Sequence, residues 1–396
     1  MKIYKSDNLR NVALLGHGSA GKTSLAEAML YDSGAVNRLG RVDEGTSVSD
    51  WDDEERRRKM SINATLIPCE WRDHKLNVID TPGYMDFVGE VVGSARVVDA
   101  AVVLVDSVGG VEVGTEQVWD YADEQNLPRL AFVNKMEREN ANFQRVVEEI
   151  ASRFHLPAVP IQLPIGSQAD FQGVVDLLTQ KAYVGEKGSE APIPAGMADA
   201  VEEARMVLLE AAAEGEDALM EKYFESETLT EEEILRGLKA RIRRGDLVAV
   251  LCGSAAMNIG VQGVMQAIVD LLPSPVAAGP YPARNLATNE NTELEGDAAG
   301  ALAALVFKTV ADPYVGKLSY FRVYSGTVES DSRVFNSRVR EEERLGQIYA
   351  MRGKEQLPVD RVPAGDIAAV ARLSETQTGD TLCDRGMPLE LAPAQY

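Results

Sequence analysis

Histidine and cysteine are scarce here, with three of each among 396 residues. Cys69, Cys252 and Cys383 share no metal or disulfide spacing, which excludes a disulfide framework or a zinc cluster and fits a reducing compartment. His17, His74 and His155 are the whole supply of imidazole, so chemistry that needs one has few places to find it. No run approaches the ~18 apolar residues of a membrane span, and the amino terminus MKIYKSDNLR has no apolar stretch to act as a signal. A cytoplasmic location with no membrane partner is the expectation. Basic residues are outnumbered, 40 against 62 acidic ones, for a net charge of -22. That excess argues against DNA and leaves nucleic-acid contact only to local basic patches. Arg56, Arg57, Arg58 and Lys59 form the clearest such patch.

With 45 % of residues hydrophobic, a chain this long can bury a core in each of two or three domains. The most specific stretch is Gly16-His17-Gly18-Ser19-Ala20-Gly21-Lys22-Thr23, which fits the phosphate-cradling P-loop pattern. It follows the apolar run Val12 to Leu15 and opens a helix whose apolar face is Leu25, Ala26, Ala28, Met29 and Leu30. Glycines let successive backbone N–H groups close round phosphate oxygens at the positive end of that helix. Lys22 is then expected at the outer phosphates, and the Thr23 hydroxyl at a magnesium ion.

Three further apolar runs end in polar motifs, as ligand binding at the carboxyl ends of parallel strands requires. Lys75 to Asp80 runs into Asp80-Thr81-Pro82-Gly83, where Asp80 is expected to hold magnesium through its water shell and the Gly83 N–H to touch the terminal phosphate. Leu130 to Val133 runs into Asn134-Lys135-Met136-Glu137, close to the guanine-reading N-K-x-D. Leu247 to Leu251 leads to Gly253-Ser254-Ala255, whose backbone N–H groups are expected at the guanine carbonyl. The run Ala100 to Val105 carries no recognisable chemistry and reads as core. In this order the motifs point to a GTPase with GTP/GDP and Mg2+ as its ligands.

From Asn11 to about Pro388 the chain resembles elongation factor G, a bacterial translational GTPase family. The resemblance rests on Asp50-Trp51, DTPG followed by Asp86-Phe87, AFVNKM, ANFQRVV, LPIG with FQGVVDLL, CGSA, LLPSP, DPYVGKLSYFRVYSG and AGDIAAV with TGDTLCD. It implies a ribosomal partner, with contacts to the factor-binding site, the stalk proteins and ribosomal RNA, and a monomeric state. It also places Arg58-Lys59-Met60-Ser61 where the family has R-G-I-T in its first switch, making Ser61 a magnesium-facing residue.

Departures from the family pattern all face the chemistry. Tyr84 stands directly after DTPG, where the family usually has the His that orients the attacking water. Ser19 replaces the usual P-loop Asp, and Glu137 the guanine-reading Asp. Loss of a water-orienting or charge-neutralising group costs on the order of 10³ or more in turnover, so slow hydrolysis is expected from a catalytic set of Lys22, Ser61, Gly83 and Tyr84. Glu137 retains the carboxylate that accepts from the guanine ring N–H and amino group, and such sites reject an unmatched base by roughly 10⁴-fold; an outward-turned Glu137 would instead leave specificity lax. A switch that binds the ribosome with vestigial hydrolysis, and a ribosomal-protection factor, stay open as alternatives.

The expected architecture is an α/β P-loop GTPase domain at 1–275 with an α+β insert at about 159–246, a polar linker at 276–300, and an all-β antiparallel barrel at 301–396. The insert begins with short strands and turns helical and acidic, and Thr230 with Glu233 forms a capping box for a helix ending near Arg244. Asp312 to Gly316 reads as a turn between two barrel strands. The family's further carboxy-terminal domains are absent from this sequence, which is expected to be either a shortened protein or a piece of a longer one.

Overall fold

The computed structural model describes residues 2–312 and 316–391. Pro313, Tyr314 and Val315, at the centre of the expected barrel turn, lie outside the described residues.

The amino-terminal part is built on β1 (Leu9–Gly16), α1 (Lys22–Asp32), α2 (Asp53–Arg58), β2 (Thr65–Trp71), β3 (His74–Asp80), α3 (Val88–Ala95), β4 (Ala100–Asp106), α4 (Val113–Glu124), β5 (Arg129–Asn134), α5 (Phe143–Phe154) and β6 (Ala158–Pro160). Then come the short strands β7 (Gln162–Ile165), β8 (Gly173–Asp176), β9 (Lys181–Val184) and β10 (Ser189–Ala191). The helices α6 (Ala198–Ala213), α7 (Asp217–Ser226) and α8 (Glu231–Arg244) follow, before β11 (Val248–Cys252) and α9 (Val261–Leu271) close the unit. The main sheet has seven strands in the order β2-β3-β1-β4-β5-β11-β6. β1, β3, β4, β5, β11 and β6 run parallel, and β2 is an antiparallel edge.

Why the sheet is sandwiched is visible along β1, which is buried throughout. Val12 and Leu14 face the core shared with α1 and α9, and Ala13 and Leu15 face the one shared with α3, α4 and α5. A continuous apolar run with period-two alternation thus feeds both faces, as a parallel sheet requires. β6 pairs with β11 in the main sheet, so the insert leaves that sheet after β6 and not at its start near residue 159 as the sequence predicted. Within the insert, α8 starts at the expected capping box, with the Thr230 side chain accepting from the Glu233 N–H, and stops where Gly245 takes a left-handed conformation.

The segment expected to be a linker is structured. Residues Tyr281–Asn285 and Glu290–Leu294 pair with each other, and the first also pairs with Leu389–Leu391. The polarity that suggested a linker belongs to the outer face of these strands, whereas Ala283 and Leu294 are buried in the core. Beyond them, an eight-stranded antiparallel sheet forms the barrel-like carboxy-terminal part, centred on Ala303–Asp312 and Gly316–Ser325.

The two parts meet through buried polar groups. Arg322, 1 % exposed, lies against the edge-to-face pair of rings Tyr281 and Tyr324 and donates to Asp99 Oδ1 at 2.7 Å, Val97 O at 3.0 Å and Tyr281 Oη at 2.8 Å. Lys75 Nζ sits 2.8 and 2.9 Å from the two Asp366 carboxylate oxygens, and Asn77 donates to the same carboxylate at 2.9 Å.

Candidate functional site

The loops after β1, β3 and β5 and the one after β11 converge on a cleft of about 350 Å³ at the carboxyl ends of these strands. Its walls include Ser19, Gly21, Lys22 and Thr23, then Asp50, Lys59 and Ser61, then Thr81, Gly83 and Tyr84, and finally Asn134, Lys135, Glu137 and Ala256.

In the P-loop, Gly21 has φ +98° and a Cβ there would fall 2.2 Å from Asn134 Nδ2, so only glycine fits before the helix. Lys22, the first residue of α1, folds its Nζ over the loop and donates to the Gly16 and His17 carbonyls, both at 2.9 Å. Burial pulls its ammonium down to about 8, with Asp80 opposing the shift and Lys135 adding to it. Gly83 comes close enough that a Cβ would lie 2.5 Å from Lys22 Nζ and 2.8 Å from Gly18 Cα. Tyr84 is 43 % exposed and its ring packs on Gly18.

A chain of short polar contacts runs beside the lysine. Thr23 Oγ1 and Ser61 Oγ are 2.9 Å apart; Ser61 Oγ donates to Asp50 Oδ1 at 2.7 Å; Ser49 Oγ donates to Asp80 Oδ2 at 2.6 Å. Ser61 is set in place by Glu55 of α2, whose Oε1 accepts from the Ile62 and Asn63 N–H groups at 3.0 Å. Burial pushes Asp80 up to about 6 and, with the Asp80 charge adding to it, Asp50 up to about 7. Asp80 Oδ1 and Asp50 Oδ2 are buried without a partner. Among the described residues no three His, Cys, Asp or Glu side chains are grouped to hold a metal ion by themselves. Two hydroxyls beside two under-compensated carboxylates nonetheless fit magnesium, which keeps several waters and takes other ligands from substrate phosphates.

At the other end of the cleft, Asn134 donates to Ala20 O at 2.9 Å and accepts from the Ala255 N–H at 2.9 Å, so it ties the P-loop to the loop after β11. Lys135, with φ +65°, pairs with Asp106 at 2.7 Å. Glu137 Oε2 is buried and unpartnered.

Several sequence-predicted residues shape the cleft without lining it. Gly16, His17, Gly18 and Ala20 form the far side of the P-loop, and His17 Nδ1 accepts from the Gly114 N–H at 3.2 Å, which turns the ring toward α4. Pro82 is buried behind Gly83, while its neighbour Thr81, which does reach the wall, anchors the turn by bonding back to Leu14 O at 2.6 Å. The N–H groups of Gly253, Ser254 and Ala255, expected at the guanine carbonyl, are spent on Val133 O, Ile259 O and Asn134 Oδ1; the wall is made by Ala256 instead. In the expected basic patch, Arg57 and Arg58 both pair with Glu54, leaving Arg56 and Lys59 as its outer charges. Ser49, Asp50, Glu55, Asp106 and Ala256 escaped the sequence reading as site residues. Only Asp50 carried a signal, the Asp50-Trp51 pair within the resemblance.

A parallel sheet with a P-loop, a D-x-x-G turn and an N-K-x-E turn at its strand ends defines the P-loop GTPase class. Comparison with known proteins narrows the class. The "Elongation factor Tu GTP binding domain" family matches residues 7–274, and "Elongation factor G domain 2" matches residues 301–385. Elongation factor G of Thermotoga neapolitana is 42 % identical over 395 residues, covering 98 % of this chain and 57 % of that protein, and the one from Thermotoga maritima gives the same figures. A crystal structure of a Thermus thermophilus protein superposes with a TM-score of 0.85 at 33 % identity, covering 95 % of this chain and 54 % of that one. The chain belongs to the elongation factor GTP-binding family and is elongation-factor-G-like in both matched segments. It spans somewhat over half the length of these relatives.

Proposed function

We propose that this chain binds GTP and GDP with magnesium and hydrolyses GTP slowly, as the nucleotide-dependent part of a ribosome-associated translation factor. The observation that carries this reading is the convergence of Lys22, Thr23, Ser61, Gly83 and Glu137, from four separate loops, on one cleft. Lys22 is aimed over the P-loop for the outer phosphates, and Gly83 comes close to it, with its N–H the donor for the terminal one. Thr23 and Ser61 would hold magnesium directly and Asp80 through water; when bound, the ion neutralises charge on the phosphates. Asn134 fixes the base end to the P-loop, Lys135 lies along the base, and Glu137 accepts from the guanine edge.

Tyr84 is the residue left to orient water. A phenol can hydrogen-bond water but supplies no imidazolium, and the nearest histidine, His17, is turned to α4. The same two facts favour a second reading, a GTP-dependent switch that occupies the ribosome with vestigial hydrolysis. Single-turnover GTP hydrolysis with purified ribosomes, comparing wild type with Tyr84→His at saturating magnesium, tests both. A slow wild type and a variant faster by roughly 10²-fold or more are expected; rapid wild-type hydrolysis would defeat the slow-enzyme reading.

A further inference from the structure

The segment from Ser47 to Asp50 lies outside every helix and strand, yet it sets Asp50 on the cleft wall against Ser61 and Ser49 on the buried Asp80 behind that wall. Its own backbone has to be held by something else. One carboxylate holds it: Glu27 Oε1 accepts from the Ser47 hydroxyl at 2.9 Å, the Val48 N–H at 2.8 Å and the Ser49 N–H at 3.0 Å. Glu27 sits on α1, the helix that begins with Lys22 and Thr23, and its side chain is fully buried. Its second oxygen, Oε2, has no hydrogen-bond partner, and a Cβ on Gly40 would land 2.0 Å from it. Glycine at 40 is therefore what leaves room for the carboxylate.

A buried carboxylate with one idle oxygen is a costly way to fill space. Three donors from consecutive residues on one oxygen make sense as a fastening. We infer that Glu27 is a positioning residue for the magnesium–nucleotide site: it fastens Ser47 to Asp50 against α1 and thereby sets Ser49 on Asp80 and Asp50 on Ser61, while touching neither nucleotide nor metal. The inference rests on the reading of Thr23, Ser61 and Asp80 as the magnesium site.

A role of this kind acts on the metal-dependent part of nucleotide retention and spares the part due to the P-loop and the base pocket. Release of fluorescent GDP and GTP is measured in excess magnesium and again in chelator, for wild type, Glu27→Gln, Gly40→Ala and Ser47→Ala, with a thermal-unfolding midpoint for each. Glu27→Gln and Gly40→Ala should speed release in magnesium about tenfold and change release in chelator less than twofold; Ser47→Ala, which removes one donor of three, should fall between them and wild type. Equal acceleration in both conditions, or a lowered unfolding midpoint with unchanged release, would reduce Glu27 to a packing residue and overturn the inference. Wild-type release that is indifferent to magnesium would overturn the site reading beneath it, and the inference with it.

Discussion

Glu137 shows how a single methylene can be weighed. Its buried Oε2 has no partner inside the protein and lies on the cleft wall that also carries Asn134 and Lys135. An acceptor kept dry and unpaired is expensive unless a ligand's donors complete it. Glu137→Ala is therefore expected to weaken GDP binding by about 2–3 kcal/mol, near a hundredfold, and to weaken inosine diphosphate less, because that base lacks the exocyclic amino group. Equilibrium titration of both nucleotides checks this; identical losses would mean that the carboxylate does not read the amino group. Lys135 depends on a neighbour the sequence did not flag. Asp106 follows directly on the run read as plain core, and its pairing with Lys135 becomes visible only once β4 and β5 lie side by side.

At the scale of elements, what was legible follows from how local the cause is. The P-loop, the D-x-x-G turn and the α8 capping box are written in consecutive residues, because backbone geometry and helix ends are decided over a few positions. Ser49, Asp50 and Glu27 come together from an irregular segment and the side of a helix, and no spacing rule announces that. Residues Tyr281–Asn285 and Glu290–Leu294 were hidden for another reason: each contributes a single well-buried side chain, too little alternation to distinguish a short strand from a polar loop. For α8, Thr230→Ala should cost about 1 kcal/mol, read as faster amide exchange in the first turn of the helix with nucleotide affinity unchanged. Glu233 adds a pH dependence. The Lys222 ammonium and then the Thr230 N–H hold its carboxyl down to about 2. Its support is therefore full above the ordinary carboxylate range and fades as pH falls toward 2, so the protection factors of that turn should drop in acid sooner in Lys222→Met than in wild type.

Across the whole molecule, the junction of the two parts is its least ordinary feature. Arg322 and Asp99 are each about 1 % exposed, and Lys75 and Asp366 are nearly as deeply buried. Removing one member of a buried pair strands the other, so Asp99→Ala is expected to lose about 3–5 kcal/mol in urea unfolding. Replacing both Asp99 and Arg322 with leucine should recover much of that. If Asp99→Ala left the midpoint unmoved, the Arg322–Asp99 pair would contribute nothing to stability.

An apolar joint tolerates slippage, since one methyl contact replaces another at little cost. A joint made of desolvated ions does not, because any sideways step leaves a charge without its counterpart. The barrel-like part is thus mounted on the parallel sheet as a pointer is keyed to its hub. A tilt of the sheet, were nucleotide exchange to produce one, would not be lost at the joint and would reach the far rim of the barrel as a larger sweep.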